Sequence, residues 1–150
     1  MSFDRHNIKS VTKDLQKFVI NTPVLRFDII DSLCNCNVFF KCENFQHTGS
    51  FKYRAAINAI KNMPIEFKQT GVITHSSGNF AHALARAAYE LKIPCHVVMP
   101  NNTPNFKKSS VLFYTKNVIE CESNLKAREF ITSEILKNKN FCLLYTSDAA

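Results

Sequence analysis

The stretch GVITHSSGNFAHALARAAYELKIPCHVVMP at residues 71–100 decides the fold class of the chain. Its apolar runs at 72–75 and 95–99 predict strands, and the alanine-rich segment at 79–91 between them predicts a helix. Two strands joined through a helix of this length form a βαβ unit, in which the strands lie parallel. The sequence therefore predicts an α/β fold.

The alternation of strands and helices continues on both sides of this stretch. Before it, the apolar positions of the first twenty residues recur at helical spacing, and Asn21-Thr22-Pro23 predicts a turn. The other predicted elements are a strand at 38–42, a helix after Ser50, a loop at 64–70, a helix at 103–114, a strand at 118–121, a helix at 125–138 and a strand at 141–145.

Length and composition are those of a globular domain. The chain has 150 residues, of which 45% are hydrophobic and 21% charged. No apolar run approaches the roughly 20 residues of a membrane-spanning helix, and the first twenty residues lack the apolar segment of a secretory signal. We therefore expect a cytoplasmic protein.

The positive charge raises the question of nucleic-acid binding. Nineteen basic and twelve acidic residues give a net charge of +7, but no cluster of five or more basic residues occurs. This distribution favours a small anionic ligand over nucleic acid.

The cysteines predict neither a zinc site nor a redox pair. None of the six forms a C-x-x-C motif, and four lie in or beside apolar runs, so we expect buried thiols. They are Cys34, Cys36, Cys42, Cys95, Cys121 and Cys142.

The turn Thr48-Gly49-Ser50-Phe51-Lys52 contains a candidate nucleophile. Ser50 is a plausible N-cap, which places Lys52 in the first turn of the following helix. The positive end of the helix dipole disfavours a cation there, so the neutral amine of Lys52 could attack a carbonyl. The alternative is an ordinary solvated surface lysine.

A second turn, His75-Ser76-Ser77-Gly78-Asn79, follows a predicted strand and opens a predicted helix. Loops in this position present backbone N–H groups to anions at the carboxyl edge of a parallel sheet. Ordinary helix capping by Ser or Asn explains the residue types equally well. With only three glycines in the chain, the glycine-rich dinucleotide and Walker fingerprints are excluded.

Together these segments resemble the signatures of a known enzyme family. KCENFQHTGSFKYRAAINA at 41–59, THSSGNFAHALA at 74–85, TPVL at 22–25 and VMPNNTPNFKK at 98–108 are similar, in order, to segments of the fold-type II pyridoxal-phosphate enzymes. Within this tryptophan synthase beta-like superfamily, the chain most resembles the serine racemase and serine/threonine dehydratase group. The resemblance implies three-layer, parallel-sheet βαβ units of that fold, present in part.

The resemblance also implies the roles of the site residues. Lys52 would form an aldimine with pyridoxal 5'-phosphate and abstract the Cα proton of L-serine or L-threonine on one face. Ser77 would act on the opposite face, as in racemase-type members. Asn79 would hydrogen-bond the cofactor ring hydroxyl, and Ser76, Ser77, Gly78 and Asn79 would surround the substrate carboxylate. Racemisation and loss of the β-hydroxyl, which yields a 2-oxo acid and ammonia, share these steps, and their ratio stays open.

The remaining expectations concern the parts of the enzyme. The resemblance implies that 1–70 belongs to the large cofactor domain and 71–146 to the small domain. The phosphate-binding loop and the rest of the large domain would follow, and the closing LLYTSDAA at 143–150 resembles translated adapter sequence, so we expect an N-terminal fragment. A full-length enzyme would be a homodimer with Mg²⁺ and ATP as further ligands, the nucleotide lying near His47 and Thr48. No metal ligands are predicted within this chain.

Three residues depart from the family pattern. Ala55 and Thr115 stand where glycine is usual, and Phe80 where histidine is usual. We expect crowding at Ala55 and a strained turn at Thr115 if it needs positive φ. The alternative to an enzyme is therefore a non-catalytic remnant that acts as an interaction module.

Overall fold

A computed structural model describes the backbone of residues 5–145 and the side chains from Ile8 onward. The predicted end of the small domain at 146 and most of the adapter-like segment lie outside these residues. No helix in the described part is long and apolar enough to cross a membrane.

Residues 5–145 form seven α-helices and six strands. The helices are α1 (Arg5–Leu15), α2 (Asp28–Cys34), α3 (Lys52–Asn62), α4 (Glu66–Thr70), α5 (Asn79–Glu90), α6 (Asn105–Leu112) and α7 (Leu125–Asn138). The strands are β1 (Val24–Leu25), β2 (Phe40–Lys41), β3 (Val72–His75), β4 (Cys95–Pro100), β5 (Val118–Cys121) and β6 (Cys142–Leu143).

The centre of the fold is a four-stranded parallel sheet in the order β5-β4-β3-β6. Val72 pairs with Cys95 and Val97 with Val118, so that β3 and β4 occupy the middle of the sheet. Both central strands are buried on both faces, which is why their sequences are continuous apolar runs. The predicted parallel sheet is confirmed.

Helices cover both faces of this sheet. Val72, Val97 and Met99 pack into a core shared with buried residues of α3, α5 and α6. Ile73 and Val98, whose side chains alternate with these along the strands, pack instead against α7. The result is the predicted three-layer arrangement.

The N-terminal part differs more from the predictions. The strand predicted at 38–42 is reduced to Phe40–Lys41, paired antiparallel with β1. Helices α2 and α4 were not predicted: they have seven and five residues, too few to establish a helical period. Helix α1 ends at Leu15, which is buried, whereas Ile8 and Val11 of its apolar stripe are exposed.

The prediction of buried thiols is confirmed for two of the six cysteines, whereas Cys42 and Cys142 are half-buried. Cys95 and Cys121 are buried, and burial raises the pKa of the Cys95 thiol to about 12. Cys34 and Cys36 are exposed instead, because α2 and the loop after it lie at the surface. All six cysteines are free thiols.

Candidate functional site

The first predicted turn is built from consecutive left-handed residues. Thr48 has φ 64° and Gly49 has φ 70°, so the chain reverses tightly before α3 begins. Ser50 is extended and buried, and its hydroxyl has no hydrogen-bond partner within the described residues. The predicted N-cap role of Ser50 is therefore wrong: Phe51 precedes the helix, without a side-chain cap.

Lys52 is the first residue of α3, in the opening turn where the sequence predicted it. Its side chain is half-buried, and its Nζ lies 5.0 Å from the centre of the Phe51 ring. The predicted position of Lys52 at the start of this helix is therefore confirmed.

The second predicted turn connects β3 to α5. The Gly78 N–H donates a 3.3 Å hydrogen bond to Ser76 Oγ, so the Ser76 hydroxyl supports the turn and does not cap the helix. The residue preceding α5 is Gly78, and no side chain caps this helix end. Ser76 and Ser77 are half-buried and Asn79 is exposed. Ordinary capping therefore does not explain these residue types.

Space for a ligand lies beside this turn. A Cβ built on Gly78 would meet no atom within 4 Å. Because β3 is an interior strand, the turn stands at the middle of the sheet's carboxyl edge, with the uncapped N-terminus of α5 behind it. Such an edge is where ligands bind in open parallel sheets.

Helix α3, which begins at Lys52, packs against helix α5, and its first turn contacts the C-terminal part of α5. The Tyr53 hydroxyl, next to Lys52 in sequence, donates a 2.6 Å hydrogen bond to Glu90 Oε2 at the end of α5. The Arg86 guanidinium lies 5.7 Å from the Tyr53 ring and donates to the Tyr114 hydroxyl at 3.2 Å. Burial, and then the bond to Glu90, raise the pKa of Tyr53 well above its usual range. Sequence reasoning missed this cluster, although Arg86 and Glu90 have the i,i+4 spacing of a helical ion pair.

The segment predicted to lie near a nucleotide packs against the same cluster. The His47 ring meets the Tyr53 ring edge-on at 5.1 Å. Burial and the nearby Arg86 charge lower the pKa of His47. The Thr48 hydroxyl is buried without a hydrogen-bond partner among the described residues.

The three departures from the family pattern are accommodated. Ala55 is exposed, and Phe80 is buried in the core of α3, α5 and the sheet. Thr115 does not adopt a positive φ, so the expected strain there is absent. Its Oγ1 donates to the Cys95 carbonyl at 2.7 Å and accepts from the Asn117 N–H at 3.2 Å.

The two turns offer groups of the kind that an aldehyde cofactor requires: a primary amine at Lys52, a buried hydroxyl at Ser50 and open space beside Gly78. The three glycines of the chain, Gly49, Gly71 and Gly78, are too far apart in sequence to form a glycine-rich phosphate loop. Within residues 5–145, no group of three or more His, Cys, Asp or Glu side chains is placed to hold a metal ion.

The chain is similar to known proteins along most of its length. Residues 15–148 match the family model described as pyridoxal-phosphate dependent enzyme. Serine racemase of Dictyostelium discoideum is 38% identical over 95% of the chain, and its crystal structure matches with a TM-score of 0.86. The structure of maize serine racemase gives a TM-score of 0.90 at 34% identity, covering 97% of the chain and 44% of the maize protein. A β-hydroxyaspartate dehydratase of Paracoccus denitrificans is 42% identical over 77% of the chain and 36% of its own length. The chain spans 44% of the Dictyostelium protein.

Proposed function

Because the chain belongs to the pyridoxal-phosphate dependent enzyme family, we propose that it carries the reactive lysine of an amino-acid racemase or ammonia-lyase acting on L-serine or L-threonine. The observation that carries the proposal is the position of Lys52 at the start of α3, within a segment that the relatives share. One relative is a racemase and another a dehydratase, which supports both outcomes of the chemistry.

The cofactor, when bound, would act as an electron sink that acidifies the Cα–H bond of the amino acid. In this proposal the Lys52 amine would hold the cofactor at its aldehyde carbon, and Nζ would also serve as the base that accepts the Cα proton.

The turn between β3 and α5 would bind and orient the substrate. The backbone N–H groups at the uncapped N-terminus of α5 suit a carboxylate, and the half-buried Ser76 and Ser77 add hydroxyl donors. Asn79, as the first residue of the helix, would bind the hydroxyl of the cofactor ring. Ser77 would hold and return a proton at its Oγ, on the face opposite Lys52, which inverts the Cα centre.

Racemisation and elimination differ in what leaves the substrate. Racemisation returns a proton to the opposite face of Cα. Elimination releases the β-hydroxyl with a proton as water, and hydrolysis of the product gives a 2-oxo acid and ammonia. We extend the proposal to a cytoplasmic homodimer with Mg²⁺ and ATP as further ligands, as the resemblance implies.

The proposal is tested by turnover. A protein of the relatives' full length that contains this chain is incubated with pyridoxal phosphate and L-serine or L-threonine, and D-serine, 2-oxo acid and ammonia are measured. We expect product with Lys52 in place and none from Lys52→Ala. Undiminished product from Lys52→Ala would contradict the proposal.

A second candidate function is favoured by exposed apolar side chains. The β1–β2 pair leaves Val24, Leu25, Phe27, Phe39 and Phe40 exposed, with the Phe27 and Phe40 rings 6.0 Å apart. A short antiparallel pair with this surface suits association with another polypeptide. An interaction module of this kind predicts stable association without turnover, so light scattering together with the turnover assay separates the two candidates.

A further inference from the structure

Both ends of the turn that precedes Lys52 are tied to one backbone group. Gln46 stands just before the turn and is buried, and its Nε2 donates to the Ile20 carbonyl oxygen at 2.9 Å. Arg54 stands just after Lys52, and its Nη2 donates to the same oxygen at 3.1 Å. Gln46 Oε1 also accepts from the Ile20 N–H at 3.0 Å. Residue 20 thus anchors both sides of the turn.

A carboxylate holds the second anchor in place. Glu43 accepts two hydrogen bonds from Arg54, at 2.8 Å from Nε and 2.7 Å from Nη2. It also accepts a 2.6 Å hydrogen bond from the Thr22 hydroxyl. Arg54, and then Thr22, keep the pKa of Glu43 below its usual range. The guanidinium is therefore fixed in a two-pronged geometry that points Nη2 at Ile20.

The turn itself needs such support. Thr48 is a β-branched residue at φ 64°, a conformation that is unfavourable for such residues and persists only where the surroundings impose it. The hydroxyls of Thr48 and Ser50 make no hydrogen bonds within the described part of the chain. These two hydroxyls therefore do not hold the turn, whereas the hydrogen bonds of Gln46 and Arg54 lie on either side of it.

We propose that Gln46, Glu43 and Arg54 are positioning residues that fix the Lys52 turn through the backbone of Ile20. The role of Lys52 rests on the proposed function. The hydrogen bonds that Gln46, Glu43 and Arg54 make around the turn, here called the clamp, are a property of this fold. An amine that must meet a carbonyl within a fraction of an ångström loses rate when its helix start shifts. The clamp therefore sets where the Lys52 amine can reach.

Amide hydrogen exchange tests the clamp without any cofactor. The first variant is Gln46→Met, which keeps the length of the side chain but removes its hydrogen bonds. The second is Glu43→Gln, which keeps the shape of the side chain but removes its charge, and it serves as the test if Gln46→Met does not fold. Glu120→Gln is the matched control, because Glu120 pairs with Lys108 on the surface far from this turn in sequence. We expect exchange of the Gly49, Tyr53 and Arg54 amides to rise by about tenfold or more in the two variants, with α7 and the control unchanged.

Covalent labelling gives the second readout. Pyridoxal phosphate and borohydride should modify Lys52 several-fold less in the variants than in the unaltered chain, with Lys61 labelled equally in both. Unchanged exchange at the turn, or an equal rise in α7, would overturn the clamp. An unaltered chain that never labels at Lys52 would overturn the proposed function instead, and the exchange result would still decide the clamp.

Discussion

The Tyr53 hydroxyl lies 2.6 Å from Glu90 Oε2, and this hydrogen bond joins the helix that begins at Lys52 to the helix that begins at Asn79. Tyr53 is fully buried, while the Glu90 side chain is 37% exposed. The bond therefore connects a buried residue at the start of α3 to a partly exposed residue at the C-terminal end of α5.

Removing the Tyr53 hydroxyl should loosen this connection. We expect Tyr53→Phe to lower the free energy of unfolding by about 1 kcal/mol, the usual net contribution of such a hydrogen bond to stability. Urea unfolding measures the loss. Tyr89→Phe is the control, because the Tyr89 ring is 64% exposed, and it should leave stability unchanged. Equal stability of the Tyr53→Phe and unaltered chains would contradict the assigned bond.

The same residue should make stability fall in alkali. Burial raises the pKa of Tyr53 above the ordinary value of 10.0, so the unfolded chain releases the proton first. The stabilisation from the neutral Tyr53 hydroxyl is complete below pH 10 and is lost as the pH rises above it. Between pH 9 and pH 11 the free energy of unfolding should therefore fall less steeply with pH for Tyr53→Phe than for the unaltered chain. Equal slopes for the two chains would exclude Tyr53 as the cause of the alkaline loss.

Acid should destabilise the fold through its histidines. Burial lowers the pKa of His82 below the ordinary 6.5, and the Arg86 charge lowers it further. Below pH 6.5 the unfolded chain binds more protons than the folded chain. The stabilisation from the neutral His82 side chain is therefore complete above pH 6.5 and is lost as the pH falls. His82→Gln should reduce the slope of stability against pH between 6.5 and 5. An unchanged slope would show that His82 titrates alike in both states.

Two glycines should differ sharply in tolerance. Gly71 has φ 109°, and a Cβ there would lie 2.4 Å from the Pro94 carbonyl oxygen, whereas a Cβ on Gly78 meets nothing within 4 Å. We expect Gly71→Ala to cost about 3 kcal/mol from strain and overpacking, and Gly78→Ala less than about 1 kcal/mol. Thermal unfolding compares them, and similar melting temperatures would contradict the backbone geometry at Gly71.

The sequence predicts the sheet well and the connections poorly. Strands β3 and β5 and helix α7 have the predicted bounds, because short apolar segments bounded by turn residues mark the strands and the 14-residue length marks the helix. Short α2 and α4 carry no such signal. The Tyr53–Glu90 and Gln46–Ile20 bonds join residues 37 and 26 positions apart. Local pattern does not encode pairs at such separations, so the clamp and the helix contact emerge only from the fold.

The central claim is that Lys52 is the residue that holds the cofactor. The chain is mixed with pyridoxal phosphate and reduced with borohydride, and every lysine is then quantified by peptide mass spectrometry, with Lys52→Ala as the control. The account predicts modification concentrated at Lys52 and absent from the control. Modification spread evenly over the surface lysines, with Lys52 no more labelled than Lys61, would contradict it.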